Sequence, residues 1–174
     1  MINKSSISDV MNIMVVGDDH GADIFGEAYD QALVTYGHID AVIHTGDSER
    51  DSDEYYRKIC GMSINGVCGN NDFNGTPLSI LLKMGGKRIF VTHGHKYGVY
   101  MGVQSLYYAG MEKEADIIIY GHTHRADHIS VRGVDIINPG SLGGIRSGCC
   151  SYAVIIIDLE GNVQIKFNQI DKNH

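Results

Sequence analysis

Long apolar runs are missing from this sequence of 174 residues. The longest, Ala153–Ile157 and Ile117–Tyr120, are far below the ~20 apolar residues that a membrane-spanning helix needs. Residues 1–10 also lack the apolar stretch and the small-residue cleavage site of a secretory signal peptide. We therefore expect a cytoplasmic protein with no membrane partner.

Basic residues are in deficit. The chain has 14 Lys and Arg against 21 Asp and Glu, which gives a net charge of −7 and an isoelectric point of about 5.6. A protein that holds nucleic acid by attraction to phosphate needs the opposite balance. We expect no nucleic-acid polymer as a partner, although a small phosphorylated ligand held through metal ions is compatible with this charge. The sequence leaves a homo-oligomer open.

Paired cysteine motifs are absent as well. The four cysteines are Cys60, Cys68, Cys149 and Cys150, and none belongs to a C-x-x-C pair. The last two are adjacent in the chain and therefore poorly placed for a structural bridge. This usage is typical of reduced thiols in a cytosolic protein.

Seven short runs rich in valine and isoleucine have the length of β-strands. They are Ile13–Val16, Ala41–His44, Ile64–Val67, Ile89–Thr92, Ile117–Tyr120, Val134–Ile137 and Ala153–Ile157. Apolar residues at helical spacing lie between some of them, from Phe25 to Tyr36 and from Val103 to Met111. The alternation predicts βα units in the first half of the chain.

Two segments predict antiparallel hairpins. Apolar residues alternate from Leu78 to Met84 up to Gly85-Gly86, and another apolar run follows at once. A polar turn at 158–162 likewise separates Ala153–Ile157 from an alternating segment that begins at Val163. We expect one α/β domain over residues 11–174, with a mixed sheet or two stacked sheets, preceded by a loose extension at residues 1–10.

Polar clusters follow five of the predicted strands. They are Gly17-Asp18-Asp19-His20-Gly21, Thr45-Gly46-Asp47, Gly69-Asn70-Asn71-Asp72, His93-Gly94-His95 and Gly121-His122-Thr123-His124. Ligands bind beyond the carboxyl ends of strands in open α/β sheets, so neighbouring strands would bring these clusters to one edge.

The residue types in these clusters predict a metal centre. Carboxylate, amide and imidazole donors without thiolate suit Mn²⁺, Fe, Zn²⁺ or Ni²⁺. The candidate ligands are Asp18, His20, Asp47, Asn70, His93, His122 and His124. Seven donors exceed what one four-coordinate ion takes, which indicates two divalent ions that share a carboxylate.

The order of these motifs resembles the calcineurin-like metallophosphoesterase superfamily. It reads D-x-H at 18–20, G-D at 46–47, G-N-x-D at 69–72, H-G-H at 93–95 and G-H-T-H at 121–124. The runs H-G-H-K-Y-G at 93–98 and N-P-G-S at 138–141 are similar to those of its small bacterial and archaeal YfcE-type phosphodiesterase branch. The resemblance extends from about Met11 to Ser147.

The resemblance implies a four-layer α-β-β-α sandwich with two mixed sheets and a metal site at the carboxyl ends of strands. It implies that Asp18, His20, Asp47 and His124 hold one ion. It implies further that Asp47, Asn70, His93 and His122 hold the other, with Asp47 bridging. We expect Mn²⁺ as the ion, with Fe, Zn²⁺ or Ni²⁺ as the alternatives. The expected reaction is hydrolysis of a small phosphodiester by a hydroxide that two metal ions activate.

Position 71 departs from many phosphatases of the superfamily, which have a histidine there that is thought to protonate the leaving group. Asn71 has no titratable proton to give near neutral pH. Because general acid help is typically worth ~10²–10⁴-fold, the asparagine favours substrates with good leaving groups. His95 is the candidate that could protonate the leaving group in place of the missing histidine. Asn71 and His95 are therefore the candidate catalytic residues.

Three other functions compete with this interpretation. A non-catalytic protein-binding scaffold, of the kind found in the retromer subunit of the same fold, is disfavoured because all seven donors are present. A nuclease is disfavoured by the acidic chain without an evident basic patch. A phosphomonoesterase is disfavoured by Asn71.

Other polar residues are expected to be structural, or have a role that the sequence leaves open. His38, His44, His128 and His174 are expected to be structural. Asp72 is expected to brace the site by hydrogen bonding, and Asp19 is ambiguous. The turn at 138–141 is equally open to a role as a plain turn and to one that supports the site. Arg146 is equally open to holding phosphate and to simply lying in a Gly-rich loop.

Overall fold

The computed structural model describes residues 10–73 and 75–170, which form ten strands and three α-helices. The strands are β1 (Val10–Val16), β2 (Ala41–His44), β3 (Asn65–Gly66), β4 (Ser79–Met84), β5 (Lys87–Thr92), β6 (Ile117–Ile119), β7 (Ala126–Val131), β8 (Val134–Pro139), β9 (Cys150–Asp158) and β10 (Val163–Ile170). The helices are α1 (Phe25–Tyr36), α2 (Ser52–Cys60) and α3 (Gln104–Glu112), and two short 3₁₀ turns span His95–Tyr97 and Val99–Met101.

Two five-stranded sheets carry the fold, and both are mixed. The first has the order β10-β9-β1-β2-β3, and the second has the order β4-β5-β6-β8-β7. Parallel pairing joins β1, β2 and β3 in one sheet and β5, β6 and β8 in the other, while the outer pairs are antiparallel. The two predicted hairpins, β4–β5 and β9–β10, are confirmed.

Strand alternation places apolar side chains on both faces of each sheet. Ile13 and Val15 of β1 point into a core between the two sheets, where they join Ile89 of β5. Met14 and Val16 point the other way, toward α1 and α2. A third core packs α3 on the outer face of the second sheet. Helix, sheet, sheet and helix therefore form the four layers that the resemblance implied.

The structure adjusts several sequence-based boundaries. β1 begins at Val10, which pairs with Asp158, and the remaining residues of the predicted extension, 1–9, lie outside the described residues. β3 is only two residues long. α2 starts after Asp51, whose carboxylate accepts a hydrogen bond from Glu54 N at 3.4 Å, so Asp51 is the N-cap of this helix.

The edge strand β7 was not predicted. Five of its six residues are exposed, so the segment lacks the apolar alternation that marks a half-buried strand. Its backbone pairs with β8 along the whole strand. No helix in the part of the chain that the structure describes is long and apolar enough to cross a bilayer.

Candidate metal centre

The five polar clusters meet where the two sheets face each other. Three of them follow β1, β2 and β3 of the first sheet, and two follow β5 and β6 of the second. The sequence placed them at one edge on the condition that their strands are neighbours; the strands belong to two sheets, and each sheet contributes loops. The parallel direction within each sheet still directs the carboxyl ends to a common place.

Five of the seven predicted ligands have backbone in the left-handed region, which residues other than glycine rarely adopt. They are Asp18 (φ 51°), His20 (46°), Asp47 (57°), His122 (70°) and His124 (61°). Each such conformation costs on the order of 1–3 kcal/mol and persists only where surrounding contacts fix it. Their concentration here indicates a functional site rather than a set of ordinary turns.

Asp18, His20 and His124 form the first group of candidate ligands. One ligand atom from each lies within 4.8 Å of the other two. His124 Nε2 lies 3.2 Å from Asp18 Oδ1 and 3.4 Å from His20 Nε2. Asp18 is fully buried and His124 nearly so.

Asp47, His93 and His122 form the second group, again with ligand atoms within 4.8 Å of one another. Asn70 joins them, since its Oδ1 lies 3.1 Å from His93 Nε2. The arrangement can hold a metal ion through one carboxylate, one amide oxygen and two imidazoles, a set suited to first-row divalent ions.

Asp47 lies between the two groups. Its Oδ2 is 3.4 Å from His93 Nε2 and 3.9 Å from His20 Nε2, so one carboxylate oxygen faces a histidine of each group. All seven predicted ligands are therefore brought together, in the two sets that the resemblance implied. That Asp47 bridges two ions stays a prediction.

In His93 and His124, the ring nitrogen that faces away from the centre is hydrogen-bonded to a backbone carbonyl. Nδ1 of His93 lies 2.8 Å from the carbonyl oxygen of Thr45, and Nδ1 of His124 lies 2.8 Å from that of Ile145. A carbonyl only accepts, so each Nδ1 must donate, and Nε2 of a neutral ring then keeps its lone pair for the centre. Metal-ligating histidines are oriented in this way.

The Nδ1 of His20 lies 2.5 Å from Glu49 Oε1. Glu49 comes two residues after Asp47, so one loop supplies both a candidate ligand and the carboxylate that orients His20. No spacing in the sequence connects Glu49 with His20, and this contact was not predicted.

The surroundings of Asp47 keep it ionised. Burial alone would raise the pKa of its carboxyl, but the interactions with His93 and Asn71 outweigh burial and hold the pKa well below its usual range. Burial would likewise lower the pKa of His93, yet the carboxylates of Asp47 and Asp18 raise it. An ionised carboxylate beside an imidazole is a pair that a cation can bind.

The other histidines of the centre respond differently. Burial, followed by the charge of His93, lowers the pKa of both His122 and His95. The Asp18 carboxylate is the main cause that raises the pKa of His124, and the positive charge of Arg146 opposes it. Arg146 is therefore electrostatically coupled to this group.

An unsatisfied oxygen gives a direct test of whether these residues suit a metal ion. Asp18 Oδ1 is buried and makes no well-aligned hydrogen bond to the described residues, although the other oxygen, Oδ2, accepts one from His122 N at 3.0 Å. A buried carboxylate oxygen without a partner is costly unless a cation satisfies it. The donor set and this oxygen both fit a divalent metal ion.

Two glycines let the loops approach closely enough to build this arrangement. A Cβ on Gly69 would lie 2.0 Å from Asp47 Oδ1, and a Cβ on Gly121 would lie 2.7 Å from Asp18 Oδ2. Both distances are far inside van der Waals contact. Any side chain at either position would displace a candidate ligand.

Asn71 and His95 lie beside the second group. Asn71 donates to Asp47 twice, from its backbone N to Oδ1 and from its side-chain Nδ2 to Oδ2, both at 2.8 Å. The His95 ring lies 5.4 Å from the His93 ring and 6.1 Å from the His122 ring, measured between centroids. Its Nδ1 is buried without a hydrogen-bond partner among the described residues.

Asp72 braces the loop that carries Asp47, as predicted. Its Oδ2 accepts from Asp47 N (2.6 Å) and Gly69 N (2.9 Å), and its Oδ1 accepts from Ser48 N (2.9 Å) and Glu49 N (2.8 Å). One carboxylate thus satisfies four backbone donors of two loops. Oriented backbone groups of this kind keep ligands in place before a metal binds.

The N-P-G-S turn also supports the site. Ser141 Oγ donates to the carbonyl of Asp18 at 2.7 Å, and Asn138 Nδ2 donates to the carbonyl of Gly121 at 2.9 Å. Both side chains are fully buried. Of the two roles left open by the sequence, these contacts favour the supporting one.

Beneath the first group lies a buried network that includes Asp19. Tyr56 donates its hydroxyl to Asp19 Oδ2 at 2.9 Å, and His44 Nε2 lies 3.3 Å from Asp19 Oδ1. His44 Nδ1 accepts from Gly46 N at 3.0 Å. The structural interpretation of His44 agrees with these contacts, and Asp19 takes part in packing rather than facing the centre.

Two cavities lie at or beside the centre. One, of about 610 Å³, is lined in part by His124, Tyr100 and Arg146. The other, of about 420 Å³, is lined in part by Asn71 and by Phe73, which is 95% exposed. The first cavity is therefore bounded by a candidate ligand, and the second lies against Asn71 and Glu49, which contact the candidate ligands Asp47 and His20.

Comparisons with known proteins agree with this geometry. The family model of the calcineurin-like phosphoesterase superfamily domain matches residues 11–161. The probable metallophosphoesterase YsnB of Bacillus subtilis (strain 168) is 35% identical over 150 residues, which cover 85% of each chain. The crystal structure of a predicted phosphoesterase from Streptococcus pneumoniae TIGR4 is similar with a TM-score of 0.71 at 27% identity, covering 94% of this chain and 99% of that one.

This chain is also similar in sequence to a protein named for vacuolar sorting. Vacuolar protein sorting-associated protein 29 of Schizosaccharomyces pombe is 29% identical over 139 residues, which cover 77% of this chain and 73% of that protein. Likeness of sequence and fold therefore extends to proteins whose names indicate different roles, and the site itself has to distinguish between them.

Proposed function

The chain belongs to the calcineurin-like phosphoesterase superfamily, and on that premise we propose that it is a metal-dependent phosphodiesterase acting on small diesters. The observation that carries the proposal is the position of Asp47 Oδ2 between two complete groups of nitrogen and oxygen donors. Asp18, His20 and His124 with Asp47 would hold one divalent ion, and Asp47, Asn70, His93 and His122 would hold a second.

When bound, two such ions lower the pKa of a water molecule and neutralise charge on the phosphoryl oxygens. Mn²⁺ is the ion we propose first, because the donor set contains no thiolate. The protein orients the donors in advance. Glu49 and the carbonyls of Thr45 and Ile145 fix three imidazoles, and Asp72 fixes the loop of Asp47.

Asn71 and the two cavities support a diester as the substrate. Asn71 donates an N–H to Asp47 Oδ2, so it lies next to the proposed reacting group and offers a hydrogen bond but no titratable proton. A diester carries two alcohol substituents, and each of the two cavities could accept one. A monoester would fill only one of them.

The experiment that tests the proposal compares bis(p-nitrophenyl) phosphate with p-nitrophenyl phosphate, using chelator-stripped protein with and without Mn²⁺. We expect turnover only after Mn²⁺ is added, and a kcat/KM for the diester that is roughly tenfold higher or more, because burying one further aryl group is worth at least about 1.4 kcal/mol. Ca²⁺ at the same concentration is the control, since it prefers oxygen ligands and should activate poorly.

Three results would count against the proposal. A higher kcat/KM for the monoester than for the diester would mean that the enzyme is a phosphomonoesterase. Equal activation by Ca²⁺ would mean that the histidines do not select the ion. Absence of turnover with every divalent ion, in a folded protein, would favour the alternative that the chain is a non-catalytic protein-binding scaffold.

Substituting Asn71 with histidine tests the role of that position. The new imidazole would lie beside Asp47 and could donate a proton, so we expect turnover of diesters with poor, alkyl leaving groups to rise by roughly tenfold or more, while aryl diesters change little. The matched control is Asn71→Gln, which keeps an amide. Equal effects of Asn71→His on both substrate types would contradict a role in leaving-group protonation.

A further inference from the structure

The larger cavity borders the metal centre directly. Its volume of about 610 Å³ lies within the range of small-molecule sites, and His124 forms part of its wall. His124 Nε2 is one of the candidate metal ligands. A substrate whose phosphate lies at the centre would therefore extend one substituent into this cavity.

The charge that lines this cavity is positive only. Arg125 and Arg146 contribute to the wall, and no aspartate or glutamate does so. Neither guanidinium forms an ion pair with any carboxylate within residues 10–73 and 75–170. Both arginines are exposed at this wall, and two guanidiniums without a carboxylate partner beside one cavity favour an anionic ligand.

The Arg146 guanidinium is held in place. Its Nη1 donates to the Tyr100 hydroxyl at 3.0 Å, and that hydroxyl donates to the carbonyl of His122 at 2.9 Å. The Tyr100 ring also packs on the His122 ring, with centroids 4.9 Å apart. The residue before Arg146, Ile145, accepts the hydrogen bond from His124 Nδ1, so one loop orients a candidate ligand and presents the arginine.

We propose that this cavity binds a second anionic group, a phosphate or a carboxylate, carried on one alcohol substituent of the diester. This inference rests on the proposed function and names the class of substrate. The seven donors at the centre serve the phosphate that is cleaved, whereas the two guanidiniums have N–H donors that no described residue uses. Guanidinium groups pair with both oxyanions through two parallel hydrogen bonds.

The test uses a matched pair of chromogenic substrates, the p-nitrophenyl ester of thymidine 5′-phosphate and the same compound with a 3′-phosphate. A third compound with a 3′-hemisuccinate offers a carboxylate instead. With the Mn²⁺-loaded protein, we expect kcat/KM for the 3′-phosphate compound to exceed that for the 3′-hydroxyl compound by roughly tenfold, and the advantage to shrink as salt is added. The hemisuccinate result distinguishes a phosphate preference from general anion binding.

Substitutions assign the preference to the arginines. In Arg146→Met and Arg125→Met the ratio between the two substrates is expected to fall toward one, and in Arg146→Lys it should fall only in part because the charge remains. The matched control is Arg57→Met, which removes an arginine that pairs with Asp53 on the surface of α2. A wild-type ratio near one, or a ratio unchanged in both methionine variants, would overturn the inference.

A binding measurement separates this inference from the proposed function. Calorimetric titration of the Mn²⁺-loaded protein with thymidine 3′,5′-bisphosphate and with thymidine 5′-phosphate measures binding whether or not the protein hydrolyses a diester. Tighter binding of the bisphosphate that is lost in Arg146→Met supports the anion site even if no diester is hydrolysed. Equal affinity for the two nucleotides overturns the anion site, even if the diester assay succeeds.

Discussion

Replacing Asp47 with asparagine is expected to lower turnover of an aryl phosphodiester by about 10³-fold or more. The substitution preserves the size of the side chain and removes its charge. It acts on both groups of donors at once, because Asp47 Oδ2 is the atom that faces His93 and His20. Substituting a ligand that belonged to one group alone would not affect both groups of donors.

Hydrogen bonding increases the expected loss. Asn71 donates to both oxygens of Asp47, from its backbone N–H to one and its side-chain NH₂ to the other, so in either orientation the new amide places its own NH₂ against one of these donors. The amide is then held in a poor geometry as well as uncharged. We expect weaker binding of Mn²⁺ together with the lost turnover.

The measurement pairs steady-state turnover with equilibrium dialysis against Mn²⁺, and thermal unfolding confirms that each variant is folded. The control is Asp30→Asn, which removes one exposed carboxylate from α1 at a position without an ion pair among the described residues. It should leave turnover and metal binding within about twofold of wild type. An Asp47→Asn protein that keeps a tenth of its turnover would show that this carboxylate does not bridge two ions.

The sequence allowed much of the fold and of the centre to be predicted, for identifiable reasons. A strand that is buried on both faces, such as β6, consists of β-branched residues without interruption, and β1 is rich in them, so composition alone indicates a strand. The candidate ligands directly follow these strands, where an Asp or His next to glycine has few structural explanations. Local signals therefore located each ligand, and the order of motifs indicated how they group.

Features that depend on contacts across the chain were beyond local signals. Glu49 reaches His20, and Tyr100 reaches the carbonyl of His122, through loops whose course no periodicity encodes. The strand pattern alone left one mixed sheet and two stacked sheets both open for the same reason, and only the resemblance implied two sheets. β7 is stabilised by its pairing with β8 rather than by its own side chains, which are mostly exposed.

Asp72→Ala is expected to lower the free energy of unfolding by about 3–5 kcal/mol. The carboxylate accepts four backbone N–H groups and is only 8% exposed, so its removal leaves donors that water reaches poorly. Each buried donor without a partner costs about 1–3 kcal/mol, and partial access of water to the emptied space limits the sum. Urea unfolding without added metal measures the effect on the protein alone.

Asp51, which also accepts a backbone hydrogen bond, provides a control for the loss of stability in Asp72→Ala. Asp51 accepts one hydrogen bond, at 3.4 Å, as the N-cap of α2, so Asp51→Ala should cost only about 1 kcal/mol. Asp72→Asn should fall between the two variants, because it keeps one accepting oxygen and turns the other into a donor that faces two N–H groups. Equal losses for Asp51→Ala and Asp72→Ala would mean that the loop of Asp47 is held mainly by Asn71.

The same substitution links stability to the metal centre. Asp47 and Glu49 donate their backbone N–H groups to Asp72, so loosening their loop displaces both the Asp47 carboxylate and the group that orients His20. We expect Mn²⁺ affinity in Asp72→Ala to fall by about 10–100-fold, as is usual when a residue that supports metal ligands is removed. Lost stability with unchanged Mn²⁺ affinity would show that bound metal can order this loop without Asp72, and that the carboxylate serves folding rather than the centre.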